Sequence, residues 1–505
     1  ALARQIGARS VVLAANPARL LPLDVGTLSS VALIGALARD PRVQGGGSAT
    51  VFPRRVVSPL DGLAAALPDS VKLSFAIGAD PRERLGPAAA PHWTGLRVTF
   101  RDAGGRVLHE NALATGAGRW LQLPDGVDTD TLATVEIFGR LTAEVEGTHQ
   151  LGVRGTGDFV LMAAGRILFD GGGERAAGDA ASTFLAPPDR RIAVQLTAGS
   201  VTDVSLTQRV TLLPGFPAVS LSLCYAPPVA TPDELLAEAE AVASAADVAV
   251  VVVGTTEEVE SEGFDRTTLR LPGRQDELVR RVAAANSRTA VVVTAGSPVE
   301  LPWADDVAAV VLAWFGGQEC GHALADVLLG TVEPGGRLPT TWPARESDCP
   351  VLDTTPDGGG VLRYDEGVFI GYRGYERAAI APRYPFGHGL GYTTWAYDQI
   401  RADARQATIT VRNTGSRAGR EVVQVYAGPA EPDPDRPARW LAGFAAVTAG
   451  PGESRTVTIE LPERTFQRWV ARRTGGGWQT IPGEYVIEAA RGRGDIRLAT
   501  SVRVG

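Results

Sequence analysis

Residues Val248 to Val253 read Val-Ala-Val-Val-Val-Val, an apolar run with no polar alternate position, closed by Gly254. A strand of this kind has no face for water, so it belongs in a mostly parallel sheet covered by helices on both sides. The flanking segments fit that expectation. Thr231-Pro232-Asp233-Glu234 has the pattern of a helix start, with a capping hydroxyl, a proline at the first helical position and a glutamate three residues on, and it leads an alanine-rich stretch to Ala246. A helix near Arg274 to Ala285, a strand Ala290 to Thr294, a strand Val307 to Ala313 and a helix from Gly317 to Leu329 are predicted beyond it. Before it, Arg9 to Ala14, Ser30 to Gly35 and Val71 to Gly78 read as strands, and Ser58-Pro59-Leu60-Asp61-Gly62-Leu63 opens a helix.

The α/β pattern breaks near residue 90 and resumes near 230. Between Leu96 and Leu223 the chain shows short alternating strands, such as Thr134 to Phe138, Leu151 to Arg154 and Phe159 to Ala163, separated by Gly and Asp turns. An all-β unit is thus inserted into an α/β one. A Pro- and Gly-rich stretch runs from Pro334 to about Trp395, and seven or so short strands follow in the last 110 residues, the pattern of an immunoglobulin-like β-sandwich. The predicted fold class is α/β and all-β multidomain: a three-layer α/β sandwich interrupted by a β-rich insert and followed by an immunoglobulin-like β-sandwich. The expected divisions are 1–89 and 228–345 for the two α/β segments, 90–227 for the insert, 346–395 for a connecting segment packed on the domains, and 396–505 for the sandwich.

A chain of 505 residues needs several cores, and its 44% apolar and 21% charged residues are ordinary for globular proteins. The net charge of −8, with no dense basic run, argues against nucleic acid as a partner. No apolar run reaches 18 residues, so no membrane partner is expected. Cys224, Cys320 and Cys349 follow no metal-ligand spacing and are expected as buried or free thiols. The one methionine is Met162, and the segment after Ala1 has no signal-peptide pattern, so the N-terminus is expected to be cut or processed, leaving secreted and cytoplasmic locations both open.

The loop after the Val248–Val253 strand concentrates the chemistry. From Gly254 to Arg266 it carries Glu257, Glu258, Glu260, Glu262, Asp265 and Arg266. Acidic clusters are ordinarily solvated surface. This one lies at the carboxyl end of a buried strand, where open α/β sheets bind their ligands. Gly263 permits close backbone approach, and the Arg266 fork suits a carboxylate.

Ser261-Glu262-Gly263-Phe264-Asp265-Arg266 resembles the acid/base loop of family 3 β-glucosidases. Further stretches agree in order: Arg9-Ser10-Val11-Val12-Leu13 with Leu21-Pro22-Leu23, Gly45-Gly46-Gly47-Ser48-Ala49, Gly336-Arg337-Leu338-Pro339-Thr340-Thr341-Trp342-Pro343, Tyr364 to Arg373, and Pro385 to Tyr392. The insert is similar to the protective-antigen-like β-domain through Glu146-Gly147-Thr148-His149-Gln150-Leu151, Phe159-Val160-Leu161 and Gly165-Arg166-Ile167, with Ala164 where that domain has an aspartate. Val411-Arg412-Asn413-Thr414-Gly415 and Val423-Gln424-Val425-Tyr426 resemble a fibronectin type III-like domain.

The resemblance implies a retaining β-glycosidase, modally a β-glucosidase, with a β-glucoside substrate and no cofactor. Glu262 takes the acid/base role, with Glu257, Glu258 and Glu260 as alternatives. Retaining hydrolysis needs two carboxyl groups about 5 to 5.5 Å apart. The family's nucleophilic aspartate stands in a Ser-Asp-Trp context on an N-terminal β/α barrel, and neither occurs in this sequence. Ser347-Asp348-Cys349 and Trp303-Ala304-Asp305 are look-alikes outside any barrel strand. The resemblance therefore implies a barrel half, as a separate chain or a removed segment, as the partner that supplies the nucleophile, docked on an apolar surface. The alternative is a catalytically silent carbohydrate-binding fragment. The insert is expected at the mouth of the site, on the aglycone side. Trp93, Trp120 and Phe184 are candidates for sugar stacking or core, and His388 in its Gly-His-Gly turn is expected to be structural.

Overall fold

The computed structural model describes residues 1–505 except 47–50, 52, 83, 121, 156, 173–186, 188, 211–217, 229, 263–265, 353–354 and 473–474. The first segment comprises helix α1 (Leu2–Ser10), strands β1 (Val12–Ala15) and β2 (Ser30–Ile34), helices α2 (Ala36–Arg39) and α3 (Pro59–Ala66), and strand β3 (Lys72–Ala76). Among the described residues ten strands follow, from β4 (Trp93–Asp102) to β13 (Val219–Ala226). The α/β pattern then returns with α4 (Pro232–Ser244), β14 (Val248–Gly254), α5 (Gln275–Ala285), β15 (Thr289–Thr294), β16 (Ala309–Leu312) and α6 (Cys320–Leu328).

These two segments build one six-stranded sheet of order β1-β16-β15-β14-β2-β3. Its strands run parallel except β1, which pairs antiparallel with β16 at the edge. The apolar run of β14 feeds both faces in alternation. Ala249, Val251 and Val253 pack under α4 and α5 with Leu236, Ala239 and Leu278, whereas Val248, Val250 and Val252 pack with Leu63 of α3 and Leu324 of α6. Burying both faces is what makes a strand without polar positions stable here. Both helix starts expected from sequence carry complete capping boxes, Ser58 with Asp61 and Thr231 with Glu234. The α3–α6 contact is close enough that a Cβ on Gly321 would strike the Ser58 carbonyl, and one on Gly62 the Gly321 backbone.

The N-terminal strand differs from expectation. Arg9 and Ser10 end α1, and β1 begins at Val12. Gly7 and Ala8 are buried against α6, and the Arg4 guanidinium donates two 2.6 Å hydrogen bonds to Asp326, so tertiary contacts hold the segment helical. The strand expected from Val307 is confined to Ala309–Leu312, after a turn in which Asp306 N–H donates to the Trp303 carbonyl.

The inserted strands form two antiparallel sheets, β10-β9-β12-β7-β4-β5 and β11-β8-β13-β6, around a core that includes Trp93, Phe100, Ile137, Phe159 and Leu221. Trp93 is therefore a core residue, and Phe184 lies outside the described residues. A connecting segment that includes the short α-helix α7 (Tyr372–Arg377) leads, among the described residues, to nine strands, β17 (Trp395–Ala402) to β25 (Asp495–Val504), two more than the seven or so expected. Their three- and four-stranded sheets share a core of Ile409, Val423, Val425, Tyr485 and Ile487, and a separate two-stranded hairpin completes the unit. Cys224, Cys320 and Cys349 are free thiols. Among the described residues, no helix is long and apolar enough to cross a membrane.

Candidate active site

The sheet order changes direction between β14 and β2: β3 lies beyond β2, whereas β15 and β16 lie beyond β14. Chain segments leaving the carboxyl ends of such neighbours diverge, and the crevice between them is where open α/β sheets bind ligands. A cleft of about 720 Å³ occupies that position. The segments after β2, β3 and β14 line one side of it, with Arg42, Arg84, Glu257 and Ser261 among their residues, and the insert contributes Trp120 and Arg154. The insert thus shares this cleft with the acidic loop.

The start of the loop is clamped. Gln275, 1% exposed, accepts the Gly254 N–H and donates to the Gly254 carbonyl, both at 2.8 Å, so the last residue of β14 is paired by a side-chain amide. Glu260 then ties the loop to the turn after β15. Its carboxylate accepts hydrogen bonds from Thr255 Oγ1 (2.6 Å), Ser297 Oγ (3.1 Å) and the Gly296 N–H (3.2 Å). Arg42, arriving from the segment after β2, donates to the carbonyls of Thr256 (3.0 Å), Gly45 (2.7 Å) and Glu260 (2.6 Å), with its guanidinium 4.3 Å above the Phe315 ring. Burial pushes the Arg42 pKa down, while Glu260 and Glu257 oppose that shift.

The four glutamates are thereby separated by environment. Glu260 has three donors on its carboxylate and acts as a brace. Glu258 accepts the Arg84 N–H at 2.8 Å. Glu257 is exposed and lines the cleft. Glu262 is exposed and follows Ser261, which lines the cleft. Gly263, Phe264 and Asp265 of the motif lie outside the described residues, as do Gly47, Ser48 and Ala49 of the triglycine stretch.

Arg266 does not meet the expectation of a carboxylate partner. It donates to Ser297 Oγ and the Pro298 carbonyl, both at 2.9 Å, and burial pushes its pKa down. Its remaining nitrogens, Nε and one terminal nitrogen, are buried without a hydrogen-bond partner.

Trp120 lines the cleft, half-buried, its ring edge-on to Phe100 at 5.1 Å between centroids. His388 is structural: Nε2 donates to the Ala14 carbonyl at 2.7 Å, the ring stacks on Tyr384, and burial holds its pKa below the ordinary imidazole range. Neither aspartate look-alike faces the cleft. Asp305 pairs with Arg383 and Asp348 with Arg345. Sequence reasoning missed Arg42 and Gln275. Arg42 is separated by 214 residues from the Thr256 it holds, so no local pattern marks it.

Comparison with known proteins follows this geometry. The model of the glycosyl hydrolase family 3 C-terminal domain matches residues 11–392, and that of the fibronectin type III-like domain matches 421–492. A beta-glucosidase of Rhizobium radiobacter is 34% identical over 526 residues, covering 100% of this chain and 62% of that protein. A probable beta-glucosidase I of Aspergillus clavatus is 33% identical over 536 residues, with 100% of this chain and 63% of that protein covered. Among solved structures, a beta-glucosidase from Kluyveromyces marxianus in complex with glucose superposes with a TM-score of 0.91 at 29% identity, covering 100% of this chain and 62% of the other. The chain thus spans less than two thirds of the length of these relatives. On the family match over most of its residues, the chain belongs to glycosyl hydrolase family 3, of which it carries the C-terminal domain followed by a fibronectin type III-like domain.

Proposed function

We propose that this chain is the acid/base-bearing part of a retaining β-glucosidase, with Glu262 as the acid/base. Protonated Glu262 gives its proton to the departing glycosidic oxygen as a carboxylate nucleophile attacks the anomeric carbon. As the carboxylate, it then takes a proton from the water that releases the sugar. The nucleophile is assigned to a β/α barrel outside these 505 residues, on a separate chain or another segment of the same one.

The observation that carries this reading is the place of Glu262: one residue beyond the cleft wall at Ser261, at the switch point of the sheet. Glu260 is a poorer choice because its carboxylate is committed to three donors. The names of the relatives support the substrate class. Exposed apolar side chains on α1 (Leu2, Ile6) and in the connecting segment (Tyr364, Val368, Ile370) support a barrel docking on this chain. The insert, drawn as residues 90–227, limits the aglycone side.

The test uses the enzyme in which this chain is joined to its barrel. Glu262→Gln should abolish turnover of alkyl β-glucosides, whose leaving oxygen needs a proton, and spare activated aryl β-glucosides. Equal losses on both would remove Glu262 from the acid role.

A further inference from the structure

The cleft departs in charge from the chain that holds it. The protein carries a net charge of −8, yet among the described residues the cleft lining has five arginines, Arg42, Arg82, Arg84, Arg119 and Arg154, against the three carboxylates Asp40, Glu257 and Glu258. Most of those arginines are occupied. Arg82 pairs with both oxygens of Asp80 and reaches Asp40. Arg154 pairs with Asp189 and donates to the Leu85 carbonyl at 2.6 Å, joining the insert to the segment after β3. Arg42 is taken up by backbone carbonyls. Arg84 differs. It is half-buried, its backbone N–H serves Glu258, and its guanidinium makes no ion pair or hydrogen bond among the described residues.

A guanidinium kept at a cleft wall without a partner presents a planar fork of N–H donors that matches a carboxylate. The half-buried setting screens it less than open surface does. Trp120, on the insert side of the same cleft, adds an aromatic side chain to its lining.

We propose that Arg84 is a specificity-determining residue that selects β-glucosides whose aglycone bears a carboxylate, with the aglycone ring against Trp120. This rests on the reading of the cleft as the substrate site and adds the class of aglycone to it. Arg84 touches the remote end of the substrate and takes no part in bond cleavage. Its effect is on capture of the charged substrate.

The test compares 3-carboxyphenyl β-D-glucoside with its methyl ester, in the enzyme joined to its barrel, for the unaltered protein and for Arg84→Gln. Differences in leaving-group chemistry cancel when the ratio of kcat/KM for the two substrates is compared between the proteins. Arg84→Gln should lower kcat/KM for the carboxylate about tenfold, mainly through KM, and leave the ester within about twofold, the size expected for one charge-assisted contact at a half-exposed site. Added salt should erode the carboxylate preference of the unaltered protein and not that of the variant. An unchanged ratio, or equal losses on both substrates, would overturn the role of Arg84 while leaving the glucosidase reading intact. If the unaltered protein hydrolyses neither glucoside, the glucosidase reading fails, and this inference falls with it.

Discussion

Removing the Glu260 brace should loosen the acidic loop without unfolding the sheet. Its carboxylate holds Thr255 on the loop and Gly296 and Ser297 on the turn after β15. All three bonds are charge-assisted, and the 2.6 Å one from Thr255 is the shortest and contributes about 1.5 to 3 kcal/mol. The two longer bonds add roughly 0.5 kcal/mol each, and water recovers part of the loss at a half-buried site, leaving a net cost of about 2 to 3 kcal/mol for Glu260→Ala. Arg42 and Arg266, both desolvated, also lose the carboxylate that most favours their charge. Hydrogen exchange read by mass spectrometry on peptides spanning 255–262 and 294–298 is the assay, because it reports local opening in a multidomain chain where one unfolding midpoint has no simple meaning. Exchange in those peptides should accelerate about 30- to 150-fold, as 1.4 kcal/mol corresponds to a factor of ten. Peptides from the C-terminal strands serve as the unchanged internal reference. Glu257→Ala, at an exposed position with no brace to lose, should leave exchange unaltered. Unchanged exchange in Glu260→Ala, or equal acceleration in Glu257→Ala, would refute the bracing role.

Other consequences are testable on the same chain. His388 has a depressed pKa through burial, so its folded form binds fewer protons than the unfolded chain. Its contribution to stability is intact above about pH 6.5 and is lost as pH falls from there toward the folded value. His388→Gln, which keeps a donor for the Ala14 carbonyl, should flatten the dependence of the thermal midpoint on pH below about 6.5; an unaltered slope would contradict this assignment. Gly321→Ala drives a methyl into the Ser58 carbonyl at the α3–α6 crossing and should cost about 3 kcal/mol, the upper end for overpacking, despite alanine's better helix propensity. A thermal midpoint at or above that of the unaltered protein would show that the crossing tolerates a side chain.

Much of the architecture is legible because burial on two faces leaves a local signature. The run Val248–Val253 and the capping patterns at Ser58 and Thr231 each mark an element whose cause lies within a few residues. The helix α1 was not legible: Gly7 and Ala8 face α6 and Arg4 reaches Asp326, so its stabilisation comes from residues more than 300 positions away. The site divides the same way. The acidic loop is a local cluster, and its glutamates were all named from sequence. Which of them braces and which faces the cleft depends on Ser297, Gly296 and Arg84, brought in by other strands. The expectation for Arg266 failed for that reason, since its neighbours at Ser297 and Pro298 come from the turn after β15.

The most direct measurement of the central claim is the pH profile of kcat/KM, taken with this chain joined to its barrel, for the unaltered protein on an alkyl and on an activated aryl β-glucoside and for Glu262→Gln on the aryl one. An acid that must be protonated to act produces a basic limb at its own pKa. With an activated aryl glucoside as substrate for the variant, the account predicts a profile that has lost this basic limb while retaining the acidic limb of the nucleophile. A basic limb that persists unchanged in Glu262→Gln would contradict it and place the acid on another residue.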